Sequence, residues 1–262
     1  KTWDWGLFIG GFVPSLLFGV ALGNVLQGVP FQFAWDLRLS YQGSFWQLLN
    51  PFALLAGVVS AAMLTQHGAH YLLIRTTEVI YQRSQRFAYW AAGIFVMSFV
   101  TAGFCLPYLP GWKIIAGGMP AALPNPLAKV VVVVHGGWLE NFYRYPLLWL
   151  LPVLAVLASL TGLWWVRRNR PLAAFVASSV MIMAVLGTFG SAMFPFVLPS
   201  TLQANSSLTV WDAASSQWTL QLMLIATLIF LPLIVWYTRW AYRVMAGKVT
   251  TAYIRQHEHS AY

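Results

Sequence analysis

The chain has 262 residues, 59% of them hydrophobic and only 8% charged, with a formal net charge of +9. Water-soluble domains carry about a quarter charged residues, so this composition excludes an ordinary soluble globule and points to lipid as the solvent. Nucleic acid is excluded as a partner as well, because the basic residues form no patch and sit in short clusters between long apolar runs, as topology signals do.

The chain opens Lys1-Thr2-Trp3 without Met and shows no signal-peptide pattern, so an N-terminal part is expected to be lacking. A membrane-crossing helix needs about 20 mostly apolar residues. Six stretches qualify in chain order: Gly6–Leu26, Pro51–Ile74, Phe87–Tyr108, Pro146–Val166, Leu172–Leu198 and Trp218–Trp240. They predict an all-α, polytopic integral membrane bundle of six transmembrane helices, with residues 1–262 forming a single transmembrane domain. Pro14, Pro152, Pro195 and Pro232 fall inside these spans, where a bundle tolerates kinks. The loop from Leu109 to Tyr145 is rich in Gly and Pro, and its Val130–Val134 run is too short to span, so it is expected on the outer surface or in the interface.

Charge orients the spans. With the N-terminus inside, the cytoplasmic segments hold Lys1, Arg75, Arg83, Arg86, Arg167, Arg168, Arg170, Arg239, Arg243, Lys248 and Arg255. The outer loops hold only Arg38, Lys113, Lys129 and Arg144. That asymmetry places both termini in the cytoplasm. Trp3, Trp5, Trp46, Trp149, Trp164, Trp165, Trp218, Trp236 and Trp240 fall near span ends, where indoles anchor.

Few residues inside the spans can carry chemistry. His67 and His70 share a helix face at i, i+3 near the cytoplasmic end of the second span. As haem or metal ligands they would need a partner helix, and no other span holds a histidine. The plainer reading is an interfacial polar pair beside Gln66. His135, His257 and His259 lie in the long loop and the tail and are expected to be solvated. The segment Ser206–Gln217 includes Trp211, Asp212 and Gln217 just outside the membrane. Asp212 either lines a proton or quinol path or, with Ser215 and Ser216, caps the last helix. Asn24, with Gln27, is placed to bond across helices, and Asn50-Pro51 reads as the turn that starts the second span. Arg75 and Glu78 are spaced to pair. The lone Cys105 makes no intrachain disulfide, and no P-loop, HExxH or CxxC pattern occurs. The chain alone therefore reads as a scaffold or partner, with no catalytic residue and no metal ligand of its own.

Ordered segments throughout the chain carry a family resemblance. They include Trp3-Asp4-Trp5-Gly6, Phe18 through Phe31, Leu48-Leu49-Asn50-Pro51-Phe52, Leu55-Ala56-Gly57-Val58 and Thr65-Gln66-His67-Gly68-Ala69. Ala192 through Val197, Ser207 through Asp212 and Tyr237 through Tyr242 continue the series. The sequence resembles subunit II of the bacterial cytochrome bd quinol oxidases. The resemblance implies a complex in the bacterial inner membrane that oxidises quinol, reduces dioxygen to water and generates a proton gradient. It implies that haem b and haem d are bound by the partner subunit I. It also implies a small single-helix accessory subunit and a structural quinone or lipid in this subunit. Asn24, Gln66, His67, Trp211, Asp212 and Gln217 are the polar candidates for structure or for such a quinone or lipid site. Family members carry two further N-terminal helices, with an acidic proton-pathway residue around His-Trp-Asp-Gly-Asn-Gln. That region is not in this sequence, so no proton-pathway residue is assigned.

Two rival readings remain. An independent secondary transporter calls for a polar midplane site and pseudo-repeats, and the sequence shows neither. A membrane cytochrome in its own right would have to use His67 and His70.

Overall fold

The computed structural model describes residues 2–118, 125–244 and 247; Lys1, Lys248, Arg255, His257 and His259 lie outside them. The helices in chain order are α1 (Thr2–Gln27), α2 (Pro51–Arg75), α3 (Glu78–Cys105), α4 (Glu140–Arg144), α5 (Leu150–Arg167), α6 (Pro171–Met193) and α7 (Gln217–Val244). Among the described residues, six are long and apolar enough to cross a membrane; α4 is a short helix of five residues.

The expectation of an α-helical polytopic bundle holds, and the two largest shifts in the helix ends are in α3 and α6. α3 begins at Glu78, well before Phe87, so Arg83 and Arg86 ride on the helix. Hydropathy marks the membrane edge, whereas backbone hydrogen bonding continues past it. α6 stops at Met193 rather than reaching Leu198. Pro195 lacks an N–H and disfavours helical geometry in the residue before it, and the following residues turn into a strand.

Among the described residues, three antiparallel two-stranded ribbons occupy the long connections. They pair β1 (Phe31–Phe33) with β2 (Leu39–Tyr41), β3 (Pro110–Gly117) with β4 (Lys129–His135), and β5 (Phe196–Leu198) with β6 (Leu208–Thr209). The valine run of the long loop is β4, its β-branched side chains suiting a pleated ribbon. Because the helices alternate in direction, these connections share one end of the bundle. There they build a cap around Trp112, Val131, Trp138, Phe142, Met193 and Phe196. Trp112 Nε1 donates to Ser200 O at 3.0 Å, and Trp138 Nε1 donates to Leu26 O at 3.0 Å, tying the cap to α1 and to the α6–α7 connection. Ser200 Oγ donates to Phe31 O, and Asn205 Oδ1 accepts from Val131 N at 2.8 Å. The short α2–α3 and α5–α6 junctions lie at the opposite end.

α2 is the central helix, packing on α1, α3 and α6. It starts cleanly because Asn50 Oδ1 accepts from Ala53 N at 2.8 Å and Pro51 fills the first turn. Small residues bring its backbone close to α1: a Cβ on Gly19 would stand 2.2 Å from Ala56 O. In lipid, where burial of apolar surface supplies little helix association, such close packing takes over that role. The midbundle core joins Val59, Met63, Phe95, Ala155, Ala158 and Met181. α7 has no buried residue at all.

Candidate functional site

The sequence-derived candidates separate into distinct groups. Asn24 sits at the α1–α2 contact. Its Nδ2 donates to Val20 O at 2.8 Å and Leu48 O at 2.7 Å, while its Oδ1 accepts from Asn50 Nδ2 at 3.0 Å. All of its polar atoms are occupied by backbone and cap groups. Gln27 Oε1, one turn on, is buried with no partner among the described residues.

Gln66 and His67 lie in α2, facing α5 and α6. Gln66 is fully buried and locked to Ser159, donating to Ser159 O at 3.1 Å and accepting from Ser159 Oγ at 2.9 Å. His67 Nδ1 is 2.8 Å from Ser178 Oγ, and its ring stacks on Phe175 at 4.5 Å. The Ser178 hydroxyl also donates to Phe175 O at 2.8 Å. Having only one proton to give, it leaves His67 Nδ1 as the donor.

The interfacial-pair reading of His67 and His70 needs correction. His70 is wholly buried, turned toward α5 and pressed against Gly162, where a Cβ would lie 2.9 Å from its Cε1. A three-residue step leaves the two side chains about 60° apart around the helix axis, so they share a broad face while one ring meets Ser178 and Phe175 and the other Gly162. This arrangement does not fit haem. His70 is pressed against the α5 backbone, and His67 is held by Ser178 and Phe175.

Asp212 forms the third group, and its reading as a cap of the last helix also changes. Ser216 takes that role, its Oγ accepting from Thr219 N at 3.4 Å. Asp212 Oδ2 instead accepts from Lys129 Nζ at 2.7 Å, Thr209 N at 3.0 Å and Thr209 Oγ1 at 2.6 Å. Lys129 Nζ also donates to Pro126 O at 2.6 Å, and both charged side chains are buried, 0% and 4% exposed. Counted as an outer-loop charge in the sequence, Lys129 is therefore an internal brace. Its partner is 83 residues away, beyond any local spacing rule. Trp211 packs edge-on to Phe194 at 6.2 Å, and Gln217 is exposed at the start of α7.

Six apolar helices, a braced cap at one end and arginine-bearing junctions at the other define a multi-pass helical membrane protein. Its family follows from the comparisons. The family described as cytochrome bd terminal oxidase subunit II matches residues 1–245, and the chain belongs to that family. It is 45% identical over 263 residues to cytochrome bd-I ubiquinol oxidase subunit 2 of Escherichia coli (strain K12), covering 100% of this chain and 69% of the relative. It is 43% identical to a probable cytochrome oxidase subunit 2 of Haemophilus influenzae, with the same 100% and 69% coverage. The fold also matches a chain of the bd oxidase from Geobacillus thermodenitrificans, with a TM-score of 0.65 and 15% identity over 92% of this chain and 64% of that one.

Proposed function

We propose that this chain is the haem-free second subunit of a bd-type quinol:oxygen oxidoreductase. The 45% identity to a ubiquinol oxidase subunit 2, along the whole of this chain and 69% of the relative, carries the reading. Haem b and haem d belong to subunit I, which oxidises quinol and reduces dioxygen to water while a proton gradient forms. The packing of His67 and His70 supports assigning the haems to the partner. This chain contributes a rigid, capped helix block against which subunit I is held.

The bare α7 supports a tight hetero-oligomer, because a 28-residue apolar helix with no buried residue offers its whole surface to a partner or to lipid. Five of the six polar candidates act structurally. Asn24 and Asn50 join α1 to α2, Gln66 joins α2 to α5, His67 joins α2 to α6, and Asp212 braces the cap while Trp211 packs beside it. Gln217 lies at the exposed start of α7, open to a quinone or lipid contact. The arginine-bearing end faces the cytoplasm and the cap faces outward, following the charge asymmetry.

Purification from native membranes in mild detergent, with an absorbance spectrum and subunit mass spectrometry, tests the assignment. Co-purification with a protein carrying b- and d-type haem bands and quinol oxidase activity is expected. A haem spectrum from this chain alone would overturn it. None of the comparisons favours an independent transporter.

A further inference from the structure

The end of the bundle opposite the cap holds a feature that the oxidase reading does not use. The α2–α3 and α5–α6 junctions meet there. Tyr81 Oη donates to Asn169 Oδ1 at 3.4 Å, and the Arg167 guanidinium lies 5.6 Å from the Tyr89 ring centre. Beside this contact, Arg168 stands over Trp164 at 5.0 Å and Arg170 over Trp165 at 5.5 Å, with the two indoles nearly perpendicular and 4.5 Å apart. These four side chains line an open groove of about 380 Å³. Both arginines are exposed, and among the described residues neither has a carboxylate partner.

A guanidinium resting on an aromatic face still has its N–H edge free, and that planar fork matches two phosphate oxygens. The stacked ring holds the side chain in place, so little rotamer freedom is lost when an anion binds. Indoles settle at headgroup depth, which puts the groove where lipid phosphates lie.

The surface leading away from the groove decides between a lipid and a free phosphate. Val153, Leu157, Leu160, Trp164 and Arg168 follow one another at three- and four-residue steps along α5 and its C-terminal end, and all are exposed. That spacing makes one continuous stripe, apolar through the bilayer and cationic at its end. A phospholipid with an anionic head has the complementary pattern.

We propose that Arg168 and Arg170, seated on Trp164 and Trp165, bind the phosphodiester of an anionic phospholipid whose acyl chain runs along the exposed face of α5. The site rests on the membrane-spanning reading and not on the oxidase assignment. Basic pockets between transmembrane helices recognise such headgroups.

The test is native mass spectrometry of the detergent-purified complex, titrated with dioleoyl phosphatidylglycerol and, separately, with dioleoyl phosphatidylcholine. The wild type is expected to retain the anionic lipid, and the Arg168→Gln/Arg170→Gln variant to hold it about tenfold more weakly or worse. Arg144→Gln, in the outer loop, is expected to match the wild type. An Arg168→Lys/Arg170→Lys variant keeps the charge without the planar fork, and intermediate retention is expected. It also keeps the test open if the glutamine variant fails to assemble. Equal retention of phosphatidylcholine, or no loss in the glutamine variant, would overturn the proposal. Displacement of the lipid by millimolar inorganic phosphate would overturn the lipid as occupant and leave a free-anion site.

Discussion

α2 and α7 are both long apolar helices, yet they lead opposite lives. α2 places Asn50 at its start, Ser60, Gln66, His67 and His70 along its length, and small residues wherever a neighbour approaches. α7 places Leu220, Leu224, Leu228, Leu231 and their neighbours all round, each exposed. Lipid tails solvate leucine as well as another leucine does, so hydrophobicity cannot pull α7 onto its own subunit. Close backbone approach and interhelical hydrogen bonds do that for α2. A helix built for its own subunit is therefore recognisable by polar and small residues buried against a neighbour; α7 carries Gln221, Ala226 and Thr227 as well, but none of them is buried.

The strongest test of this contrast lies in the cap that closes the block around α2. Asp212→Leu should strand the Lys129 charge in a buried site and cost about 3–5 kcal/mol, read as a fall in the thermal midpoint of the purified complex. Lys129→Met with Asp212→Leu should recover part of that loss; a double variant no better than Asp212→Leu would remove the ion pair as the cause. Next in size is Gly19→Val. Forcing side-chain atoms against the α2 backbone should cost about 1–3 kcal/mol or more, and unchanged unfolding would show that α1 is not held by close packing. Gln66→Leu should cost less, about 0.6 kcal/mol by the usual worth of a hydrogen bond between membrane helices, measured by denaturant titration in detergent. Smallest for this chain is Leu228→Ala in α7, expected to stay within about 0.5 kcal/mol for an uncontacted site. The same change should lower recovery of the haem-bearing subunit in a pull-down. Destabilisation of the isolated chain instead would mean that α7 packs against its own bundle.

The residues that sequence reasoning found and those it missed differ in reach. Asn50 and Pro51 were legible as a helix start because cap and helix are adjacent in the chain. Asn24 was legible as a helix-bridging group because few polar side chains enter an apolar span without a partner. His70 was misplaced, since spacing fixes the angle between two side chains but not which neighbour each one meets. Lys129 was counted only as an outer-loop charge because nothing within a turn of it announces an aspartate 83 residues on.

By itself the sequence determined the membrane class, the number of spans and the charge asymmetry across them, because lipid imposes length, hydropathy and charge rules that act on each segment separately. Only the tertiary structure decided that the long connections fold into a braced cap, that Lys129 and Asp212 meet inside it, and that His70 is buried against Gly162 while His67 stacks on Phe175. It also decided that α7 stands alone and that two arginines rest on neighbouring indoles. Those outcomes depend on contacts between distant segments, and their geometry is set by helix packing and loop closure rather than by any local pattern.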